Sequence, residues 1–148
     1  MADKMNALTV KTLRTHQIRP TEKRLAILSA FQQNNYAMSH ADLERELGVN
    51  CDRVTIYRTL ETFETNGLIH KIVDDSPVTK YALCHPEDCS AHQHNDQHLH
   101  FQCRRCGHTF CLPLIKIPEV NLPEGYQLDS LSMVAEGLCK PCAALANS

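Results

Sequence analysis

KYALCHPEDCSAHQHNDQHLHFQCRRCGHTFC, residues 80–111, holds five of the chain's eight cysteines and six of its nine histidines. An apolar core has no use for soft donor atoms at that density, whereas a borderline-soft cation such as zinc is held through thiolate and imidazole. Cys103 and Cys106 form a CxxC, and Cys139 and Cys142 form a second one near the end of the chain. The short turn inside a CxxC brings both sulfurs to one side. Two such pairs complete the closed tetrahedral sulfur set of a structural zinc site. Disulfides or buried free thiols are the alternative use of the same residues. The long gap between the pairs means that one ion would tie the beginning of this region to its end.

His98 and His100 flank Leu99 just ahead of the first CxxC. In a strand, alternation puts both imidazoles on one face and Leu99 and Phe101 on the other. With Cys84, Cys89 and Cys111 left over, this is the start of a second cluster. One cluster reads as a staple; two read as a protein that responds to metal.

Outside this stretch the composition changes. Residues 1–80 carry eleven Lys and Arg, ten acids and one cysteine, Cys51, while residues 81–148 carry four bases, seven acids and seven cysteines. The shift predicts two small domains, 1–80 and 81–148, with a hinge at about 74–85. The formal net charge of −2 gives no global basic footprint, so nucleic-acid contact would need a local patch. The first twenty residues show no secretory pattern, and nowhere are there eighteen consecutive apolar residues. The expectation is a cytoplasmic protein with no membrane span, whose CxxC pairs serve metal or redox chemistry.

In the first eighty residues the periodicity predicts helices. A short amphipathic one covers about 4–16, with Leu8 and Leu13 on its apolar side. Thr21 after Pro20 is a candidate N-cap for EKRLAILSAFQQN, in which Leu25, Leu28 and Phe31 recur with Ile27 beside them. Ser39 and Asp42 make a capping box for ADLEREL, which packs Leu43 and Leu47 and stops at Gly48. Asp52 caps RVTIYRTLETFETNG, ended by Gly67, with Ile56, Leu60 and Phe63 as its buried stripe. Arg53, Thr55, Tyr57 and Arg58 lie off that stripe. Helix, turn and second helix follow the order of a helix-turn-helix, and LIHKIV and KYAL form a hairpin that makes it a winged helix. The outward residues alone fit a solvated face equally well.

Beyond residue 84, HLHFQC and HTFCLPL read as strands on either side of the CxxC turn, and YQLDSLSMVAEGLC as a last strand delivering Cys139 and Cys142. Pro118 and Pro123 keep any helix between them short. So small a sheet leaves edges and apolar faces for a partner copy to cover, which predicts a homodimer.

With these parts in this order the chain resembles the ferric uptake regulator family of metal-sensing repressors, most of all its zinc uptake regulator branch. IRPTEKRLAIL is similar to the family's LTPQR-xxIL helix, and VTIYRTLETFETNGLIHK to its TVYRxLxxLxxxGLV recognition helix. HLHFQCRRCG resembles HxHxxCxxCG, and GLCKPC resembles the terminal GxCxxC. The resemblance implies an α+β protein: an N-terminal winged-helix DNA-binding domain, then a small C-terminal α/β dimerisation domain stapled by zinc. It implies a dimer on a palindromic double-stranded DNA operator, contacted through Arg19, Arg53, Thr55, Tyr57 and Arg58. It also implies one structural zinc per chain on Cys103, Cys106, Cys139 and Cys142. A regulatory zinc would sit at the hinge on His70, Cys84, His98 and His100, with Cys111 in reserve where much of the family has an acid.

Iron(II), or peroxide sensing, is the alternative within the family. Imidazole with thiolate suits zinc, whereas iron sensors use more oxygen donors. A further family site is not expected, because its positions are Gln97 and Leu99. His85, Cys89, His92 and His94 read as a solvated loop, and His16, His40 and His108 as surface or cap residues. A zinc enzyme would need HExxH, or H-x-E with P-C-x-x-C, and neither occurs. No enzyme activity and no small-molecule substrate are expected.

Overall fold

The computed structural model describes residues 2–72, 76–84, 89–90, 93–94, 98–129, 131 and 133–147. His85, His92 and Gln97 lie outside the described residues, as do the side chains of Cys89, His94 and His98. The order is α1 (Ala2–Thr15), α2 (Glu22–Gln33), β1 (Met38–Ser39), α3 (His40–Leu47), α4 (Arg53–Thr65), β2 (Ile69–Ile72) and β3 (Lys80–Leu83). Then follow β4 (Cys89–Ser90), β5 (Gln93–His94), β6 (His98–Cys103), β7 (Thr109–Lys116), β8 (Met133–Gly137) and α5 (Lys140–Ala146).

Local chemistry explains the first four helices. The Thr21 side chain accepts from the Arg24 amide at the start of α2. At α3 the Asp42 amide donates to Ser39 Oγ at 3.1 Å, and the Ser39 amide donates to Asp42 Oδ2 at 2.9 Å. That reciprocal pair satisfies two helix-end donors at once. A Ser39→Ala protein should therefore unfold at lower urea, with a loss of about 1 kcal/mol. An unchanged midpoint would deny the cap its role.

Helices α1 and α4 end in the same way. Gln17, at φ 59, lets Ile18 N–H donate to Leu13 O at 2.9 Å and Gln17 N–H to Arg14 O at 3.0 Å. Gly67, at φ 75, does the same for Leu68 to Phe63 and Gly67 to Glu64. Each closure seats a buried pair, Leu13 with Ile18 and Phe63 with Leu68, as a Schellman turn requires. Gly67 is legible as a stop signal, but Gln17 is not, because the buried contact offsets the cost of a left-handed residue that carries a side chain.

The stripe Ile56, Leu60 and Phe63 packs with Ile27, Leu28, Phe31 and Leu43 into one core. Leu13 joins them, but Leu8, expected on the same face of α1, is 60% exposed. Asp52 stands at the N-cap of α4 without a capping bond. Strands β2 and β3 pair antiparallel, with His70 opposite Ala82, and β1 adds to the far edge of β3. This is the winged helix.

The second sheet has the order β7-β6-β8, antiparallel on one side of β6 and parallel on the other. Its ladder jumps from His98↔Lys116 to Leu99↔Leu112. The unmatched residues of β7 include Pro113, which has no N–H to give to a ladder. Phe101 lies so close to Gly137 that a Cβ there would meet its ring at 3.1 Å. The last strand is shorter than the sequence predicts, and 126–129 are exposed and irregular. Cys142 sits on α5 rather than at a strand end.

Candidate metal centres and nucleic-acid interface

Cys103 ends β6, Cys106 closes the turn after it, Cys139 precedes α5, and Cys142 lies in its first turn. Strand pairing of β6 with β8 brings the two ends of the region together, and the four sulfurs lie within 4.8 Å of one another. Cys106 Sγ and Cys139 Sγ are 3.8 Å apart. Zn–S bonds of about 2.3 Å at tetrahedral angles imply a sulfur–sulfur edge of about 3.8 Å, so the spacing fits a zinc ion. Backbone amides of Cys139 and Cys106 lower the Cys103 thiol to about 5, which readies a thiolate. Burial raises Cys106, and the neighbouring Cys139 sulfur raises Cys142, because four packed thiols cannot all ionise without a cation among them.

A second group joins the two parts of the fold. His70 on β2 meets His100 on β6 and Cys111 on β7, with their donor atoms within 4.8 Å of one another. His100 and Cys111 are direct partners across the β6–β7 ladder, which fixes them side by side. Both imidazoles are buried, with ring centroids 5.9 Å apart. Cys84 falls outside that group, but its sulfur lies 3.4 Å from His70 Nδ1. Zn–N near 2.0 Å and Zn–S near 2.3 Å imply an edge of about 3.6 Å between such ligands. The two imidazoles and the Cys111 sulfur are donors that zinc accepts, and Cys84 stands beside them at His70. Among the described residues no carboxylate is part of this group.

Helix α4 presents Tyr57, 64% exposed, beside exposed Arg53 and Arg58. Arg53 Nε donates to Glu44 Oε1 at 2.8 Å, and this bond pulls the Glu44 carboxyl below its usual range. Thr55 donates its hydroxyl to Asp52, which lowers that carboxyl in the same way. Arg19, at the other end of the surface, is exposed, and its carbonyl accepts from Arg24 at 2.9 Å. Between α2 and α4 runs a groove of about 450 Å³ lined by Arg19, Lys23, Arg24, Arg58 and the threonines 21, 55, 59 and 62. Four cations and four hydroxyl side chains, with Asp52 held beside them by Thr55, make a surface complementary to a phosphate backbone. Lys23 and Arg24 escape the sequence reading because they look like ordinary first-turn residues of α2. Only the packing of α2 against α4 lines them up with Arg58. Another groove, of about 650 Å³, runs between α4 and the wing, with Tyr57, Arg58, Val78 and Tyr81 among its walls.

A winged helix with a basic groove, tied through a cluster of metal donors to a sheet with a tetrathiol knuckle, defines a metal-responsive DNA-binding regulator. The sequence pattern of the ferric uptake regulator family matches residues 15–134, and the chain belongs to that family. It is a metal-dependent transcriptional regulator. It is 28% identical to the transcriptional regulator FurA of Mycobacterium tuberculosis over 144 residues, covering 88% of this chain and 87% of the relative. It is also 28% identical over 132 residues to the zinc uptake regulation protein of that organism, covering 84% and 95%. Among solved structures, a zinc uptake regulator complexed with zinc and DNA matches 99% of this chain and 97% of its own, at a TM-score of 0.66 and 25% identity. The Vibrio cholerae ferric uptake regulator matches 88% and 98% at a TM-score of 0.59 and 20% identity, a likeness of fold.

Proposed function

We propose that this protein is a zinc-responsive repressor that acts in the cytoplasm as a homodimer on a palindromic operator. The observation that carries this reading is the meeting of His70 with His100 and Cys111, and with Cys84 alongside. These donors come from both the winged helix and the second sheet, and they are nitrogen and sulfur throughout. Oxygen-rich sets suit harder ions, so this one favours zinc over iron(II). Bound zinc supplies attraction to such donors in tetrahedral directions. His70 anchors the winged helix, while His100 and Cys111 anchor the sheet, so one arrangement of the two parts binds the ion best. Differential affinity of that kind shifts a population of arrangements. In a dimer it would set the two recognition helices one helical turn of DNA apart.

The knuckle thiols Cys103, Cys106, Cys139 and Cys142 would hold a second, structural zinc. Val120, Leu122, Tyr126 and Leu128 are exposed apolar side chains that a partner copy would cover. Residues 1–80 and 81–148 act as DNA-binding and dimerisation domains. On DNA, Tyr57 would meet thymine methyls, Arg58 a guanine edge, and Arg19, Lys23 and Arg24 the phosphates.

Iron(II) sensing is the second reading, favoured by 27% identity over 143 residues to the ferric uptake regulation protein of Neisseria gonorrhoeae. The two are separated by titrating zinc, iron(II) and manganese(II), at controlled free concentration, against a duplex selected from a randomised library by the metal-loaded protein. A response to iron(II) well below zinc's threshold would sink the zinc reading. In the same assay Arg58→Ala should lose about 1–3 kcal/mol of discrimination between the selected and a random duplex. Equal binding of both duplexes by mutant and wild type alike would return α4 to a solvated face.

A further inference from the structure

The winged helix touches the second sheet at another place besides the donor cluster. Tyr36, in the link between α2 and β1, stacks on His108 with ring centroids 3.7 Å apart and planes 6° apart. The next residue, Ala37, donates its amide to Thr109 O at 2.7 Å. From β3, Lys80 Nζ donates to Gly107 O at 3.3 Å and to Thr109 Oγ1 at 3.2 Å. So residues 107–109, the exit of the tetrathiol knuckle, receive contacts from two separate elements of the winged helix.

Both sides of this joint are rigidly held. Tyr36 packs against the winged-helix core. Nearby, Asn34 Nδ2 donates to Ala30 O and to both Glu46 carboxylate oxygens, at 2.8–3.0 Å, which pins the end of α2 to α3. Thr109 is fully buried, and Cys103 N–H donates to His108 O at 2.9 Å, which ties the imidazole-bearing residue to the knuckle. Phe110 meets the His108 ring edge-on at 6.3 Å. Cys111 follows two residues after Thr109 on the same strand.

A body fixed at one point swings; fixed at two, it takes a defined orientation. We propose that Tyr36 and His108 are positioning residues, the second point of attachment that turns closure of the His70–His100–Cys111 cluster into a fixed setting of the recognition helix. On this view the knuckle is a fulcrum as well as a staple. The proposal rests on the metal-responsive reading above.

The test uses the full chain as wild type, His108→Ala, His108→Phe, Tyr36→Ala and Tyr36→Phe. For each, the affinity of the hinge site for zinc is measured by competition with a chelating dye, and the affinity for the selected duplex is measured with and without zinc. The alanine variants should keep zinc affinity within a few-fold, while the zinc-induced gain in duplex affinity falls about tenfold, within the usual range of allosteric coupling. Both phenylalanine variants keep a flat ring and should restore the gain. A metal-free readout accompanies this: the Ala37 amide should exchange with solvent faster in His108→Ala than in wild type or His108→Phe, with the Ile56 and Leu28 amides unchanged. An undiminished gain in both alanine variants, or unaltered Ala37 exchange, overturns the proposal. If wild type answers to iron(II) instead, the zinc reading fails, and the same ratio measured with iron(II) judges the joint. A wild type whose duplex affinity rises with none of zinc, iron(II) and manganese(II) overturns both.

Discussion

Cys103→Ser protein should emerge from purification with one zinc fewer per chain and with its second sheet unfolded, while the winged helix keeps its helices. Cys103 is the most buried of the four knuckle thiols and receives the amides that favour its ionised form. Serine offers neither a soft donor nor a low pKa, so the closed four-sulfur set is broken. In small metal domains the binding free energy of a structural zinc, about 10–16 kcal/mol, is folding free energy. Among the described residues of the second sheet, buried Cys103, Cys139 and Cys142 themselves form the apolar cluster, with Phe101, Phe110 and Leu138 packed around them. The winged-helix core contains none of the knuckle cysteines and should survive. Zinc content by mass spectrometry, amide exchange across β6 and β7, and sedimentation would check the result together. Full metal content in the mutant, with an unchanged sedimentation coefficient, would remove the knuckle as a metal site.

Substituting a hinge donor should have the opposite profile, a folded protein that is deaf to added zinc. His100→Ala and Cys111→Ser each remove a member of the group that spans the two parts of the fold. Loss of an outer hydrogen-bond partner alone costs about 10–100-fold in metal affinity. Loss of a ligand should exceed that, so operator binding should no longer rise at zinc levels that saturate the wild type. The sequence ranked Cys84 ahead of Cys111. Because Cys111 faces His100 across the ladder, Cys111→Ser should be as damaging as Cys84→Ser. The structural zinc and the exchange protection of the knuckle should be untouched in both. A Cys111→Ser protein with a wild-type zinc response would leave His70, His100 and Cys84 to look for their partner elsewhere, and His98→Ala would then be the variant to measure.

Much of this protein is decided by short-range chemistry and was therefore readable from the order of residues. Ser39 and Asp42 specify a capping box within four positions, and Ile56, Leu60 and Phe63 specify a buried helix face by spacing alone. The paired CxxC motifs present sulfurs in twos wherever they lie in a fold, because a two-residue turn is enough to align two sulfurs.

What the order of residues left open depends on which surfaces meet. Nothing local to Cys111 separates a ligand from a small buried hydrophobe. Its facing of His100 follows from the β6–β7 register, and its facing of His70 follows from the seating of the wing against that sheet. His108 reads as a surface residue until the link after α2 brings Tyr36 onto its ring, seventy-two positions away in sequence. Lys23 and Arg24 likewise become part of a groove only when α2 packs on α4. Pattern along the chain determined the helices of the winged helix and where soft donor atoms concentrate. The pairing of strands and the packing of helices, contacts between residues far apart in sequence, decided which donors share a site.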